Sequence, residues 1–114
     1  MVLNAGSLTR RIQISRYVQT GTDGFGGTTG DWEDHGSPIF ARRRDVSDAE
    51  RFTAGIYHNK LVTRFTVRST PFTRGIRRTD RLVHDGLTFS IDGIKELPDT
   101  RAFLEITAVT AGAS

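Results

Sequence analysis

The sequence predicts an all-β fold: a small antiparallel β-barrel or sandwich of about six strands, with one long loop that carries a short helix start. Three observations predict it. Apolar residues recur with a period of two in several short runs, clearest in Leu8–Ile14 and Leu61–Arg68, and that period sends alternate side chains to opposite faces of a sheet. Asp85-Gly86 stands between two such runs, and Asp-Gly there favours the type I′ hairpin turn, whose two central residues both need positive φ. Glycine, proline and aspartate punctuate the other runs, as in small sandwiches and barrels. Open sheet edges invite aggregation, so the strands are expected to close on themselves or pair with neighbours.

The first strand is Leu8–Arg16, with Leu8, Ile12 and Ile14 on one parity and Thr9, Arg11, Gln13 and Ser15 on the other. The glycine- and threonine-rich stretch from Gln19 to Gly30 reads as a flexible connection ending at Trp32. A second strand follows Pro38 through Ile39–Arg44. The stretch from Asp45 to Asn59 is too long for a hairpin turn, and such connections in compact domains are usually functional or disordered. It holds a capping-box pattern, Ser47 with Glu50 three residues on, closed by Gly55. The third strand, Leu61–Arg68, sets Leu61, Phe65 and Val67 on one face. Pro71 and Gly75 bracket a polar connection. Arg81–His84 and Leu87–Ile91 form the Asp-Gly hairpin, and Ala102–Val109 is the last strand. Phe65 and Phe89 lie on apolar parities and are expected in the core.

The 114 residues suit a single domain, 1–114, with 36% apolar residues and therefore a core with little to spare. Cysteine is absent, which excludes disulfides and thiolate chemistry. No apolar run approaches the ~20 residues of a membrane span, and the N-terminus lacks the pattern of a signal peptide, so no membrane partner is expected and synthesis in the cytoplasm is. The formal charge of +3 is carried almost entirely by arginine, Lys60 and Lys95 being the only lysines. Arginine suits interfacial pairs and phosphate contacts. Two clusters stand out: Arg42, Arg43 and Arg44 at a strand end, and Arg74, Arg77 and Arg78 before the hairpin, with Arg81 beyond them. They are candidate subunit-interface or DNA-facing residues. Salt bridges to acids such as Asp45, Asp48 and Glu50 are the plainer reading.

Catalytic chemistry has no support. His35, His58 and His84 are not at metal-ligand spacing, and His84 beside the turn reads as an exposed polar residue. Asp23–Gly27 lacks the Gly-Lys-Ser/Thr ending of a phosphate loop and the acids of a calcium loop. Asp31, Glu33 and Asp34 beside Trp32 read as a solvated cluster. No enzyme, metal or cofactor is expected.

The order of these features resembles the head-closure proteins of long-tailed bacteriophages, also called stopper or head–tail joining proteins, which occur in phage-like gene-transfer particles too. Ala5-Gly6-Ser7-Leu8 through Arg11-Ile12-Gln13-Ile14 is similar to the family's "AG-L--RI-I" opening. Asp23-Gly24-Phe25-Gly26-Gly27 with Trp32 is similar to its "D-GG---W" loop. Phe40-Ala41 sits where the family often has Trp-Ala, and Glu50 where it often has a glutamate before the long connection. Phe65-Thr66-Val67-Arg68 resembles the "-TIR" strand. Asp80-Arg81-Leu82 with Gly86–Ile94, and Arg101–Ile106, resemble its closing segments. Phe40 in place of tryptophan and the basic Arg74–Arg78 connection are departures.

The resemblance implies a structural connector at the neck of a virion or phage-like particle. It implies a homo-oligomeric ring, a dodecamer, closing the DNA exit channel of the filled head. An adaptor or portal-side protein lies above it, a tail terminator or tail tube protein below, and double-stranded DNA passes through. Head-to-tail ring contacts would cover residues such as Phe103 and Val109. Glu50, Phe52, Ile56 and Tyr57 are then the candidate channel-gating or docking residues. The alternatives are a small basic barrel binding single-stranded nucleic acid and another neck or tail ring protein such as a tail terminator.

Overall fold

The computed structural model describes residues 5–46, 61–98 and 100–110. Ser47, Glu50, Phe52, Ile56 and Tyr57 lie outside the described residues. A single 3-10 turn, Ala5–Ser7, leads into β1 (Arg10–Thr22), β2 (Thr28–Asp34), β3 (Ile39–Asp45), β4 (Val62–Arg68), the short helix α1 (Pro71–Arg74), β5 (Arg81–His84), β6 (Leu87–Leu97) and β7 (Thr100–Val109). Every strand pairing is antiparallel.

The long first strand explains the topology. Its Arg10–Ile12 stretch pairs with β3, Gln13–Ser15 with β5, and Ser15–Thr22 with β2. From β3 the sheet continues through β4, β7, β6 and β5, and β5 returns to β1. Six strands therefore close a circuit, which removes the exposed edges that an open sheet would carry. β2 stands outside it, so the far half of β1 and β2 form a two-stranded arm. Seven residues from Arg16 to Thr22, at ~3.3 Å each, carry the arm about 20 Å.

Inside the circuit the apolar parities converge. Ile12, Ile14, Ala41, Phe65, Val67, Leu82, Phe89, Ile91, Leu104, Ile106 and Ala108 form one buried cluster. Phe65 and Phe89 are fully buried and meet edge to face at 5.4 Å between ring centroids. His84 departs from the sequence reading: it is buried, not exposed. It shares the inward parity of Leu82, two residues before it, and its ring meets Phe65 edge-on at 5.6 Å. His84 Nδ1 lies 3.0 Å from the Arg11 carbonyl oxygen. A carbonyl can only accept, so this nitrogen carries the proton.

Two other segments differ from the sequence expectation. The Gln19–Gly30 stretch is mostly strand, with only Asp23–Gly27 as its turn. Its glycines fit the ribbon rather than break it. Gly30 lies where a Cβ would meet the Tyr17 ring and the Val18 carbonyl, so its bareness lets Tyr17 lie across the strands. Gly26, at φ +86°, makes the turn. The Pro71–Gly75 connection contains α1. A helix this short has no stability of its own, and reciprocal bonds hold it: Thr73 N donates to Thr70 Oγ1 at 3.1 Å, and Thr70 N donates to Thr73 Oγ1 at 2.8 Å. The buried Thr73 hydroxyl donates onward to the Arg68 carbonyl at 2.6 Å.

α1 in turn fixes the β2–β3 connection. His35 stacks on Phe72 at 5.3 Å, and Gln13 Nε2 donates to the Gly36 carbonyl at 3.0 Å. Gly36 has φ +73°, and a Cβ there would sit 2.5 Å from the Phe72 ring. Gly36→Ala is therefore expected to cost about 1–3 kcal/mol, read as a lowered thermal or urea midpoint. A midpoint equal to wild type would mean that the His35–Phe72 contact does not constrain this turn.

Candidate docking surfaces on the barrel and its arm

The sequence-predicted arginines occupy two separate places. Asp80 and Asp85 flank the four-residue β5, so their surroundings are about 15 Å apart along the strand. The first cluster lies by Asp85. Arg42 and Arg44 alternate with Ala41 and Arg43 along β3 and point away from the core, Arg42 half-buried and Arg44 exposed. Arg43 takes the other parity. Its Nε donates to Asp45 Oδ1 at 3.0 Å and its Nη1 lies 3.7 Å from Asp85 Oδ2. Thr63 Oγ1 also donates to Asp45 Oδ1, at 3.0 Å. His84 Nε2 lies 3.3 Å from Asp85 Oδ2 without hydrogen-bond geometry. Arg43 is thus paired twice within its own chain. This polar cluster ties the end of β3 and the start of β4 to the β5–β6 turn.

The second cluster lies by Asp80, which sequence reasoning missed. Its side chain is 1% exposed. Arg16 grips it bidentately, Nε to Oδ1 and Nη2 to Oδ2, both at 2.9 Å. The Arg77 amide donates to Oδ2 at 2.8 Å, and Arg16 Nη2 also reaches the Gly75 carbonyl at 3.0 Å. Burial by itself pushes the Asp80 carboxyl up. The Arg16 hydrogen bonds, the Arg77 amide and the nearby charge of Arg16 outweigh it, and the carboxyl is held below the usual range. The pair fastens the root of the arm to the α1–β5 connection. Arg77 contributes its backbone there, and its guanidinium is exposed, as is that of Arg78. Arg74 is exposed as well and donates from Nη1 to Ser69 Oγ at 3.2 Å.

The arm itself was the largest omission from the sequence reading. An isolated two-stranded ribbon is marginally stable in water, and this one is braced at both ends. At its root Tyr17 meets Trp32 edge-on at 5.6 Å, and the Arg81 guanidinium lies 4.0 Å over the Trp32 ring. At its tip Asp23 Oδ1 accepts from the amides of Phe25 and Gly27, each at 2.8 Å, the side-chain-to-backbone pattern by which aspartate fixes a turn. The result holds Phe25 fully exposed at the end of the arm. An aromatic residue set among glycines was the available signal.

On the barrel wall, the Arg11 guanidinium lies 4.9 Å over the exposed Phe40 ring. Beside Phe40 a mostly apolar cavity of about 490 Å³ opens between Leu8, Pro38, Ile39, Val67 and Arg68. Phe103 is already buried within the single chain, so only Val109, half-buried, keeps the interface availability expected of both. Among the described residues no three His, Asp or Glu side chains gather as a metal ion would require, and no helix is long and apolar enough to cross a membrane.

With this geometry in place, the comparisons with known proteins are specific. The solution structure of protein SF1141 from Shigella flexneri 2a superposes with a TM-score of 0.73 and 26% identity, over 98% of this chain and all of that one. A chain in the virion of a native gene transfer agent particle superposes with a TM-score of 0.65 and 26% identity, over 90% of this chain and 94% of that one. No curated protein matches the sequence. The phage head completion protein family matches residues 3–111, all but the two ends, and this chain belongs to that family of phage structural proteins.

Proposed function

We propose that the chain forms a ring, a dodecamer, at the neck of a tailed phage or phage-like particle. The ring closes the DNA exit channel of the filled head and receives the tail. An adaptor or portal-side protein lies above it and a tail terminator or tail tube protein below, with double-stranded DNA running through the middle. The chain acts as a connector and carries out no catalysis. Family membership across residues 3–111 supports the setting.

One structural observation supports the closing role. Asp45 and Thr63 are direct partners in the β3–β4 ladder, so a tight turn would join these strands, yet residues 46–61 stand between them. Long insertions of this kind in compact domains are commonly functional. We assign Glu50, Phe52, Ile56 and Tyr57 as the gating or docking residues, and Arg42, Arg44, Arg74, Arg77 and Arg78 as facing a neighbouring subunit or the DNA. For the single-stranded nucleic-acid reading, Phe65 and Phe89 are sealed in the core and offer no ring face for stacking.

Deleting Ala49–Tyr57 tests the proposal. The barrel is expected to stay folded, while particles built with it leak DNA or fail to join tails. Particles that retain DNA and infect or transduce normally would overturn the gating and docking role.

A further inference from the structure

We propose that the tip of the arm docks in the Phe40 cavity of a second copy of this chain, Phe25 entering as the knob, so that copies join head to tail. The inference deepens the ring reading and rests on it.

The charge distribution favours a basic partner surface for the arm. Beyond Arg16 at its root, the arm from Tyr17 to Asp34 carries Asp23 at the tip and Asp31, Glu33 and Asp34 toward the root and no lysine or arginine, a formal charge of −4 against +7 for the rest of the chain. The cavity has the opposite character. Arg68 is part of its wall and Arg11 lies over the Phe40 ring at its edge. Among the described residues neither guanidinium is paired with an acid, and no acid lines the cavity.

Shape agrees with charge. Phe25 is fully exposed on a tip whose turn Asp23 closes with two hydrogen bonds, which lowers the backbone ordering cost of docking. A cavity of about 490 Å³, walled by Leu8, Ile39 and Val67, has ample room for one phenyl ring. Rigid aromatic anchors entering desolvated pockets with a polar rim are the usual centres of binding energy. The arm extends about 20 Å from the barrel with its tip in solvent, so the cavity it fills belongs to another molecule. Knob and hole are different surfaces of the same chain. A contact of that kind is heterologous, and it closes into a ring when the rotation permits.

The absence of cysteine makes the contact straightforward to trap. Gly24→Cys places a thiol beside Phe25 at a position where an added Cβ meets open space. Pro38→Cys places one at the cavity, and Thr88→Cys provides an exposed control on β6. With a short bis-maleimide, Gly24→Cys protein mixed with Pro38→Cys protein is expected to cross-link about tenfold faster than with Thr88→Cys protein, the ratio of a modest anchor contact. Adding Phe25→Ser to the first partner, or Arg68→Glu to the second, should bring the rate down to the control. Equal rates with Pro38→Cys and Thr88→Cys would overturn the proposal and leave the arm to another protein of the particle. A fast rate that survives Phe25→Ser would overturn the role of the knob. The readout is on purified chains, so failure here leaves the ring and its DNA-retention test untouched.

Discussion

Phe65→Ala and Phe89→Ala are each expected to lower stability by roughly 3–5 kcal/mol, among the largest losses a single side chain can cause here. Both rings are 0% exposed and sit in the same buried cluster from adjoining parts of the barrel wall. Each truncation removes apolar surface from contact and leaves a cavity, because a closed circuit of paired strands cannot collapse freely onto it. The rings also touch edge to face, so the two losses should not be additive: the double variant should fall short of the sum by about 0.5–1.5 kcal/mol. Urea denaturation of the two single variants and the double variant checks this. Midpoints unchanged from wild type would refute the assignment of these strands' inner faces.

Those inner faces were legible because burial on one side imposes the two-residue period. Ile12 and Ile14, Phe65 and Val67, Phe89 and Ile91, and Leu104 and Ile106 all point inward as their parity predicts. The Asp85-Gly86 turn was legible for a steric reason, and both residues have positive φ, 51° and 76°. His84 shows what is lost when a residue type is weighed before its parity. The arm left no such imprint. Both faces of its ribbon are open to solvent, so Tyr17, Val18 and Trp32 are exposed, and no alternation marks it as strand. Among the candidate arginines, composition located both clusters. It did not reveal that Arg43 is spent on Asp45 and Asp85 within the chain, a pairing set by where β3 ends against the β5–β6 turn. The Phe40 cavity is assembled from the start of the chain, the entry to β3 and the end of β4. Nothing local in those three segments marks them as neighbours.

The Arg16–Asp80 pair is the clearest case of a contact made by topology, since its members are 64 residues apart and meet only because β5 closes against β1. Arg16→Ala is expected to cost about 3–5 kcal/mol. It leaves the buried Asp80 carboxylate with the Arg77 amide alone, and an unpaired buried charge costs far more than an exposed pair contributes. Arg16 is itself 23% exposed, which places the effect toward the lower end of that range. Asp80→Asn, with its oxygen in the Oδ2 place, still accepts from Arg16 Nη2 and the Arg77 amide but turns its NH2 toward Arg16 Nε; it leaves no buried charge, so its cost at neutral pH should be smaller. The pH dependence follows from the depressed carboxyl. Its folded pKa lies below the unfolded value, so its contribution is fully present above about pH 4 and is lost as pH falls through the folded value. The stability gap between wild type and Asp80→Asn should hold steady through the neutral range and close in acid. Urea midpoints across that range test the sign. A gap that widens on acidification, or an Arg16→Ala variant as stable as wild type, would mean that the pair does not fasten the arm to the barrel.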